Sequence, residues 1–207
     1  MKKGILICFV GIDGSGKTTL AKGLENNLRR FGISCKYMWC GWRGFESPLF
    51  KPLVNLIKKF YKKTSAPDRL TKTISFNVFA LFDYVLRVYP AILFSLYRYD
   101  VVIADRYVYD VIVGFLVSGS KGVTFIQKLL NLFPKPYLIF FIEIPEIVAY
   151  KRKDDIPSPD YLSEQKKIYL KLLTKNNKNL IIVDGTKSKE DLLNMILGEV
   201  IKRCQKS

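Results

Sequence analysis

Gly11-Ile12-Asp13-Gly14-Ser15-Gly16-Lys17-Thr18-Thr19 is the stretch from which the rest of this chain can be read. It satisfies the phosphate-loop pattern G-x-x-x-x-G-K-[ST] at every fixed position. Upstream, Ile5-Leu6-Ile7-Cys8-Phe9-Val10 is an unbroken apolar run of the kind that forms a strand buried on both faces. Downstream, Leu20, Leu24, Leu28 and Phe31 recur at helical spacing, which predicts a helix starting where the loop ends. Strand, glycine turn and helix in that order aim backbone N–H groups and a helix N-terminus at an anion. Gly11, Gly14 and Gly16 let the backbone turn and approach that anion closely. Lys17 supplies a charge for the β and γ phosphates of a nucleotide, and Thr18 a hydroxyl for Mg²⁺.

Composition narrows the class. The 207 residues suit one domain with a proper core, and 49% hydrophobic with 25% charged residues is ordinary for a soluble protein. The net charge of +16 is not ordinary. Its cations are spread along the chain, with short clusters at Lys58-Lys59 and Lys62-Lys63 and no long basic arm. This favours a basic surface around a polyanionic small substrate over a dedicated nucleic-acid partner. Cys8, Cys35, Cys40 and Cys204 form no C-x-x-C pair and histidine is absent, which removes a Cys/His zinc site. A reducing cytoplasm is the simplest compartment. Phe76 to Tyr97 is almost long and apolar enough to span a bilayer, but Asp83 and Arg87 would each cost about 2.5–3.5 kcal/mol at its centre. Pro90 interrupts it as well. It reads as a long helix packed inside the protein, with no membrane partner.

Along the chain, strands are predicted at 34–39, 101–104, 137–144 and 180–183, besides the first. Helices are expected over 49–63, from about 69 to 97, and over 108–117, 124–133, 146–151, 160–174 and 189–204. Ser65-Ala66-Pro67-Asp68 has turn chemistry. Fully apolar strands alternating with helices indicate a parallel sheet covered on both faces. Ligands of such sheets bind beyond the C-terminal strand ends. There the phosphate loop, the Arg43 loop, Asp105-Arg106-Tyr107 and the segment after Val183 converge.

Asp105 ends an apolar strand, the form of a Walker B acid that holds Mg²⁺, and Arg106 beside it is a candidate bidentate phosphate clamp. Lys151-Arg152-Lys153 precede Asp154-Asp155 in a polar stretch; these cations either close over a transferring phosphoryl group or form a solvated helix end. No N-K-x-D guanine-recognition sequence occurs, which argues against a GTPase. A kinase whose acceptor is a phosphate needs no strong base, because the attacking oxygen is already anionic. That suits a site rich in Lys and Arg and without histidine.

These residues resemble the thymidylate kinase family of nucleoside monophosphate kinases over nearly the whole chain. The resemblance rests on Gly11 to Thr19, on Asp105-Arg106-Tyr107, on a short lid (about 151–159) carrying Arg152, and on Val183-Asp184-Gly185-Thr186, similar to the family's adenine-side loop. It implies one nucleoside monophosphate kinase domain over 1–207: an α/β/α sandwich of P-loop NTPase type around a five-stranded parallel sheet. It also implies Mg²⁺-dependent transfer of the ATP γ-phosphoryl group to dTMP, giving dTDP. ATP would be held by Gly11, Asp13, Gly14, Ser15, Gly16, Lys17, Thr18 and Thr19, and Mg²⁺ by Thr18 and Asp105. Asp13, Arg43, Phe82, Arg87, Arg106 and Tyr107 would face the acceptor, and Lys17, Arg106 and Arg152 would carry catalysis. Gly14 stands where some members have a phosphate-loop arginine; members without it use lid cations. Many relatives are homodimers, which would give the apolar 76–97 helix a face to bury. The loop 39–45 is unlike the family's common acidic–proline loop, and no arginine stands at the usual thymine-side position, Tyr84 lying near it and Arg87 being the nearest. The aromatics Phe79, Phe82 and Tyr84 serve there either as core or as a base platform. Two other readings follow the same residues: a kinase of the same fold with another nucleotide or small phosphorylated acceptor, and a nucleotide-binding module without turnover that binds nucleic acid.

Overall fold

Each of the five predicted strands forms, and all five join one parallel sheet of order β2-β3-β1-β4-β5. The computed structural model describes residues 4–42, 52, 74–119, 132–153, 156–174 and 178–204. In chain order these form β1 (Ile5–Val10), α1 (Lys17–Arg30), β2 (Cys35–Trp39), α2 (Ile74–Arg98), β3 (Val101–Asp105), α3 (Val108–Val117), β4 (Leu138–Glu143), α4 (Glu146–Lys151), α5 (Pro159–Thr174), β5 (Leu180–Asp184) and α6 (Lys189–Cys204). The expected helix 49–63, the turn 65–68, the first part of the long helix and nearly all of helix 124–133 fall outside the described residues, as do Arg43 and Asp154-Asp155.

Strand alternation builds two cores. Leu6, Cys8 and Val10 of β1 face the layer of α2, α3 and α5, with Val102, Ala104, Ile139 and Phe141 beside them. Ile7 and Phe9 face α1 and α6, together with Ile103, Phe140, Ile142 and Val183. A strand buried on both sides has no polar face, hence the unbroken apolar runs. Helix α1 docks by Leu20, Ala21, Leu24 and Leu28. Phe31 fits the same spacing, but the helix stops at Arg30 and Phe31 lies past its end, 64% exposed.

Helix α2 contains the one stretch among the described residues, Val78–Arg98, long and apolar enough to cross a membrane by length and composition. Ala80, Leu81, Tyr84, Val88, Ile92 and Leu96 form its buried stripe. The helix continues through Pro90, expected as an interruption. Pro90 and the residue four before it, Leu86, both lie on the solvent side, where water can serve the carbonyl that proline leaves without a donor.

The register sets the site's level. Phe9, Asp105 and Trp39 align across β1, β3 and β2, and Glu143 aligns with Asp184 across β4 and β5. Beyond that line stand the phosphate loop and the segments after β2, β3, β4 and β5. The central strand β1 lies at the point where the strand order reverses, the usual ligand crevice of such sheets.

Candidate active site

The phosphate loop leaves β1 and enters α1 through Gly16, which has left-handed geometry (φ 90°) and no side-chain cap on the helix. The first-turn N–H groups of α1 therefore remain available to an anion. Gly14 is also left-handed (φ 81°), and a Cβ there would stand 2.5 Å from the Ala149 carbonyl oxygen of α4. No side chain fits at position 14, so a loop arginine is sterically excluded. Arg152, exposed just past the end of α4, reaches the Gly14 carbonyl with Nη1 at 3.5 Å.

Lys17 is buried within the loop, its Nζ donating to the Ile12 carbonyl at 2.6 Å and to Ser15 Oγ at 3.3 Å. Burial, with the Arg106 cation adding to it, pushes its ammonium down to about 8. A buried cation on an uncapped helix N-terminus is short of negative charge, and a polyphosphate supplies it.

Thr18 Oγ1 donates to Asp105 Oδ2 at 2.6 Å, and Tyr37 Oη donates to the same oxygen at 2.8 Å. Asp105 is fully buried and its Oδ1 has no donor among the described residues. A carboxylate with one oxygen committed and the other buried and open, beside a threonine hydroxyl, fits a hard divalent cation that takes oxygen ligands.

Arg106 is the only non-glycine residue with positive φ (69°) among the described residues. Its N–H is tied to the Phe9 carbonyl at 2.9 Å, which holds this costly backbone in place. The side chain extends over the loop. Nη2 pairs with Asp13 Oδ1 at 2.5 Å and Nη1 with Asp110 Oδ1 at 2.7 Å. Burial opposes its charge, but the Asp110 and Asp13 carboxylates hold the guanidinium firmly protonated, its pKa raised. Burial likewise pushes the Asp13 carboxyl up, and Arg106 and Lys17 overcome it, leaving the acid below its ordinary range.

Beside this trio opens a cleft of about 710 Å³, within the range of small-molecule sites. Asp13, Thr18 and Arg106 line its loop side, and Trp39, Trp42 and Phe115 give it aromatic walls. Gly114 lies on its wall, where a Cβ would meet nothing within 4 Å. From α5 come Tyr161, Gln165 and Tyr169, and from the segment after α4 Lys153. Gln165 is 7% exposed; its Nε2 donates to Tyr161 Oη at 3.3 Å, while Oε1 has no donor among the described residues.

The residues expected at the site divide into two groups. Gly11 to Thr19, Asp105, Arg106 and Arg152 come together at one edge. Tyr107 does not join them: it is turned into the core, its Oη donating to the Pro134 carbonyl at 2.9 Å and its ring packed on Phe133 and Tyr109. Tyr107 is extended between the left-handed Arg106 and the start of α3, and its side chain is buried. Phe82 lies on α2, 49% exposed, and is not among the described residues that line the cleft. Tyr84 belongs to the core and donates to the Cys40 carbonyl at 2.9 Å. Arg87 is not among the described residues that line the cleft; its Nη2 donates to the Gly41 carbonyl at 3.0 Å, one residue before Trp42. On the far side, Asp184 Oδ1 accepts from Thr186 N and Oγ1, shaping a tight turn after β5. Asp110, Tyr161, Gln165, Tyr169 and the two tryptophans are absent from the expected set. Tyr161, Gln165 and Tyr169 are spaced i, i+4, i+8, one face of a helix, and that spacing was their only sequence signal.

A protein-family model described as "Thymidylate kinase" matches residues 9–196. The chain is 29% identical to "Probable thymidylate kinase" of Sulfurisphaera tokodaii, over 90% of both chains. It is 30% identical to "Probable thymidylate kinase 2" of Saccharolobus solfataricus, over 96% of this chain and 98% of that one. "Thymidylate kinase" of Plasmodium falciparum is 27% identical, over 97% of this chain and 91% of its own.

Proposed function

The chain belongs to the thymidylate kinase family of phosphotransferases, and from that premise we propose that it transfers the γ-phosphoryl group of ATP to dTMP, giving dTDP and ADP. The observation that carries this reading is Arg106, held over the phosphate loop at the mouth of an aromatic-walled cleft. A donor phosphate site and a nucleotide-sized acceptor cleft meet at one guanidinium.

An oxygen of the acceptor phosphate attacks the γ-phosphorus, and the bond from that phosphorus to the β–γ bridging oxygen breaks, releasing ADP. The attacking oxygen is already anionic, so positioning and charge stabilisation do the catalysis. The loop amides and Lys17 hold the donor phosphates. Arg106 grips the acceptor phosphate, aided by Arg43, and Asp13 takes a sugar hydroxyl. Thr18 and Asp105 would hold Mg²⁺, which would neutralise phosphate charge there. The aromatic walls suit a nucleobase. Arg152 supplies from the lid the cation that position 14 of the loop cannot carry. The chain acts as one domain with residues 151–159 as its lid. Cys8, Cys35 and Cys40, free thiols in the interior, suit a reducing cytoplasm. The outer face of α2, with Leu86, Leu93, Phe94 and Tyr97 exposed, suits self-association as a homodimer, and sedimentation of the purified chain measures it.

The test is turnover of purified protein with Mg-ATP and a panel of nucleoside monophosphates, read as ADP release. A strong preference for dTMP is expected. Turnover with another acceptor, or none, overturns the reading. In the same assay Arg152→Ala is expected to lower kcat by about 10²-fold or more with little change in the KM for ATP. An unchanged kcat removes the lid from the chemistry.

A further inference from the structure

We infer that Asp110 is a positioning residue for the acceptor phosphate, holding the Arg106 guanidinium in register and taking its own position from Tyr169. The inference rests on Arg106 meeting the acceptor, as proposed above.

Four elements contribute to one chain of contacts. Phe141 of β4 packs against the Tyr169 ring at 5.8 Å, and Tyr169 of α5 is fully buried. Its hydroxyl donates to Asp110 Oδ1 at 2.5 Å, and the same oxygen accepts Arg106 Nη1 at 2.7 Å. Arg106 then reaches Asp13 on the phosphate loop. The two carboxylates are not equivalent. Asp13 stands on the loop where ligands bind, so a sugar hydroxyl competes for its oxygens. Asp110 also lines the cleft, but it stands in the first turn of α3 and its Oδ1 is anchored to the sheet through Tyr169. When Asp13 turns to a ligand, Asp110 still keeps Nη1, leaving the other N–H groups of the fork for a phosphate. An arginine already fixed in its binding rotamer loses less freedom when it captures its ligand.

An acid in the first turn of a helix also has a plain structural use, interaction with the helix dipole. The two roles separate in kinetics. Dipole stabilisation affects folding and both substrates alike, whereas positioning of Arg106 affects the acceptor alone. A charge effect also separates from a geometric one, because an asparagine Oδ1 accepts the same two hydrogen bonds without the charge.

The experiment is steady-state kinetics of the full chain and its Asp110→Ala, Asp110→Asn and Tyr169→Phe variants, with ATP and dTMP varied separately. Asp110→Ala is expected to raise the KM for dTMP about tenfold or more, with the KM for ATP within about twofold. Asp110→Asn is expected to restore most of the loss, and Tyr169→Phe to raise the KM for dTMP about threefold. Should Asp110→Ala fail to fold, the asparagine and phenylalanine variants decide: Tyr169→Phe must then raise the KM for dTMP selectively. A KM for dTMP within twofold of the parent in Asp110→Ala, or equal rises for both substrates, overturns the inference. A parent enzyme that turns over dTMP while the variants behave so isolates the failure to Asp110. A parent that ignores dTMP removes the proposed function first.

Discussion

Lys17→Met abolishes phosphoryl transfer and, at neutral pH, raises the melting temperature of the nucleotide-free protein. The first effect follows from the loss of the cation that meets the β and γ phosphates, with a fall in kcat of about 10³-fold or more expected. The second follows from burial. Lys17 sits on the Ile12 carbonyl and the Ser15 hydroxyl with its ammonium pushed down to about 8, against an ordinary lysine value well above that. Between pH 8 and the ordinary value the unfolded chain binds the proton and the folded chain does not, so stability contributed by this site rises with pH across that window. Below pH 8 the folded protein carries the full cost of a buried charge. Methionine keeps the stem and removes the charge, while the Ile12 carbonyl keeps the Ser15 N–H at 3.2 Å as a donor. The variant's advantage in melting temperature is therefore expected below pH 8 and shrinks as pH rises towards 10. Scans at pH 7, 8.5 and 9.5 measure it; a variant less stable than the parent at pH 7 contradicts it. The parent gains stability on adding Mg-ATP, and the variant loses most of that gain.

What the sequence made legible was whatever depends on neighbours along the chain. Strand β1, the loop and α1 are contiguous, and their residues carry the alternation, glycine spacing and helical period that local geometry demands. Asp105-Arg106 was legible because an acid ending an apolar strand must emerge at the ligand edge of a parallel sheet. Helix limits at 108–117, 146–151 and 189–204 coincide with the structure for the same local reason. The acceptor cleft was not legible, since it is made by facing surfaces of α3 and α5, some fifty residues apart. Tyr161, Gln165 and Tyr169 have the spacing of an ordinary buried stripe, and nothing local distinguishes a stripe that meets a cleft from one that meets a core. Tyr107 failed in the opposite sense. Its neighbours are site residues, but the left-handed turn at Arg106 sends the next side chain inward, and a backbone angle leaves little trace in a residue that is not glycine.

Arg106→Ala is expected to lower kcat/KM for dTMP by about 10³-fold while leaving the KM for ATP nearly unchanged. It should also destabilise the protein, because Asp13 and Asp110 then lose the guanidinium that bridges them. Breaking a buried ion pair costs about 3–5 kcal/mol, and since these side chains keep 15–24% exposure the expectation is nearer 1–3 kcal/mol. Loss of activity and loss of stability would thus arrive together, and Arg106→Gly separates them. Alanine inherits the left-handed backbone at φ 69°, which costs a residue with a Cβ roughly 1 kcal/mol, whereas glycine accepts it freely. Both variants lose the guanidinium, so both should be equally inactive, with the glycine variant melting at or above the alanine one. Arg106→Lys keeps the charge but not the fork that spans two carboxylates, so it should recover stability more than activity. Near-normal turnover of dTMP by Arg106→Ala would remove Arg106 from the acceptor site. A glycine variant much less stable than the alanine one would mean that the backbone at this position is held by something other than the bond from its N–H to Phe9.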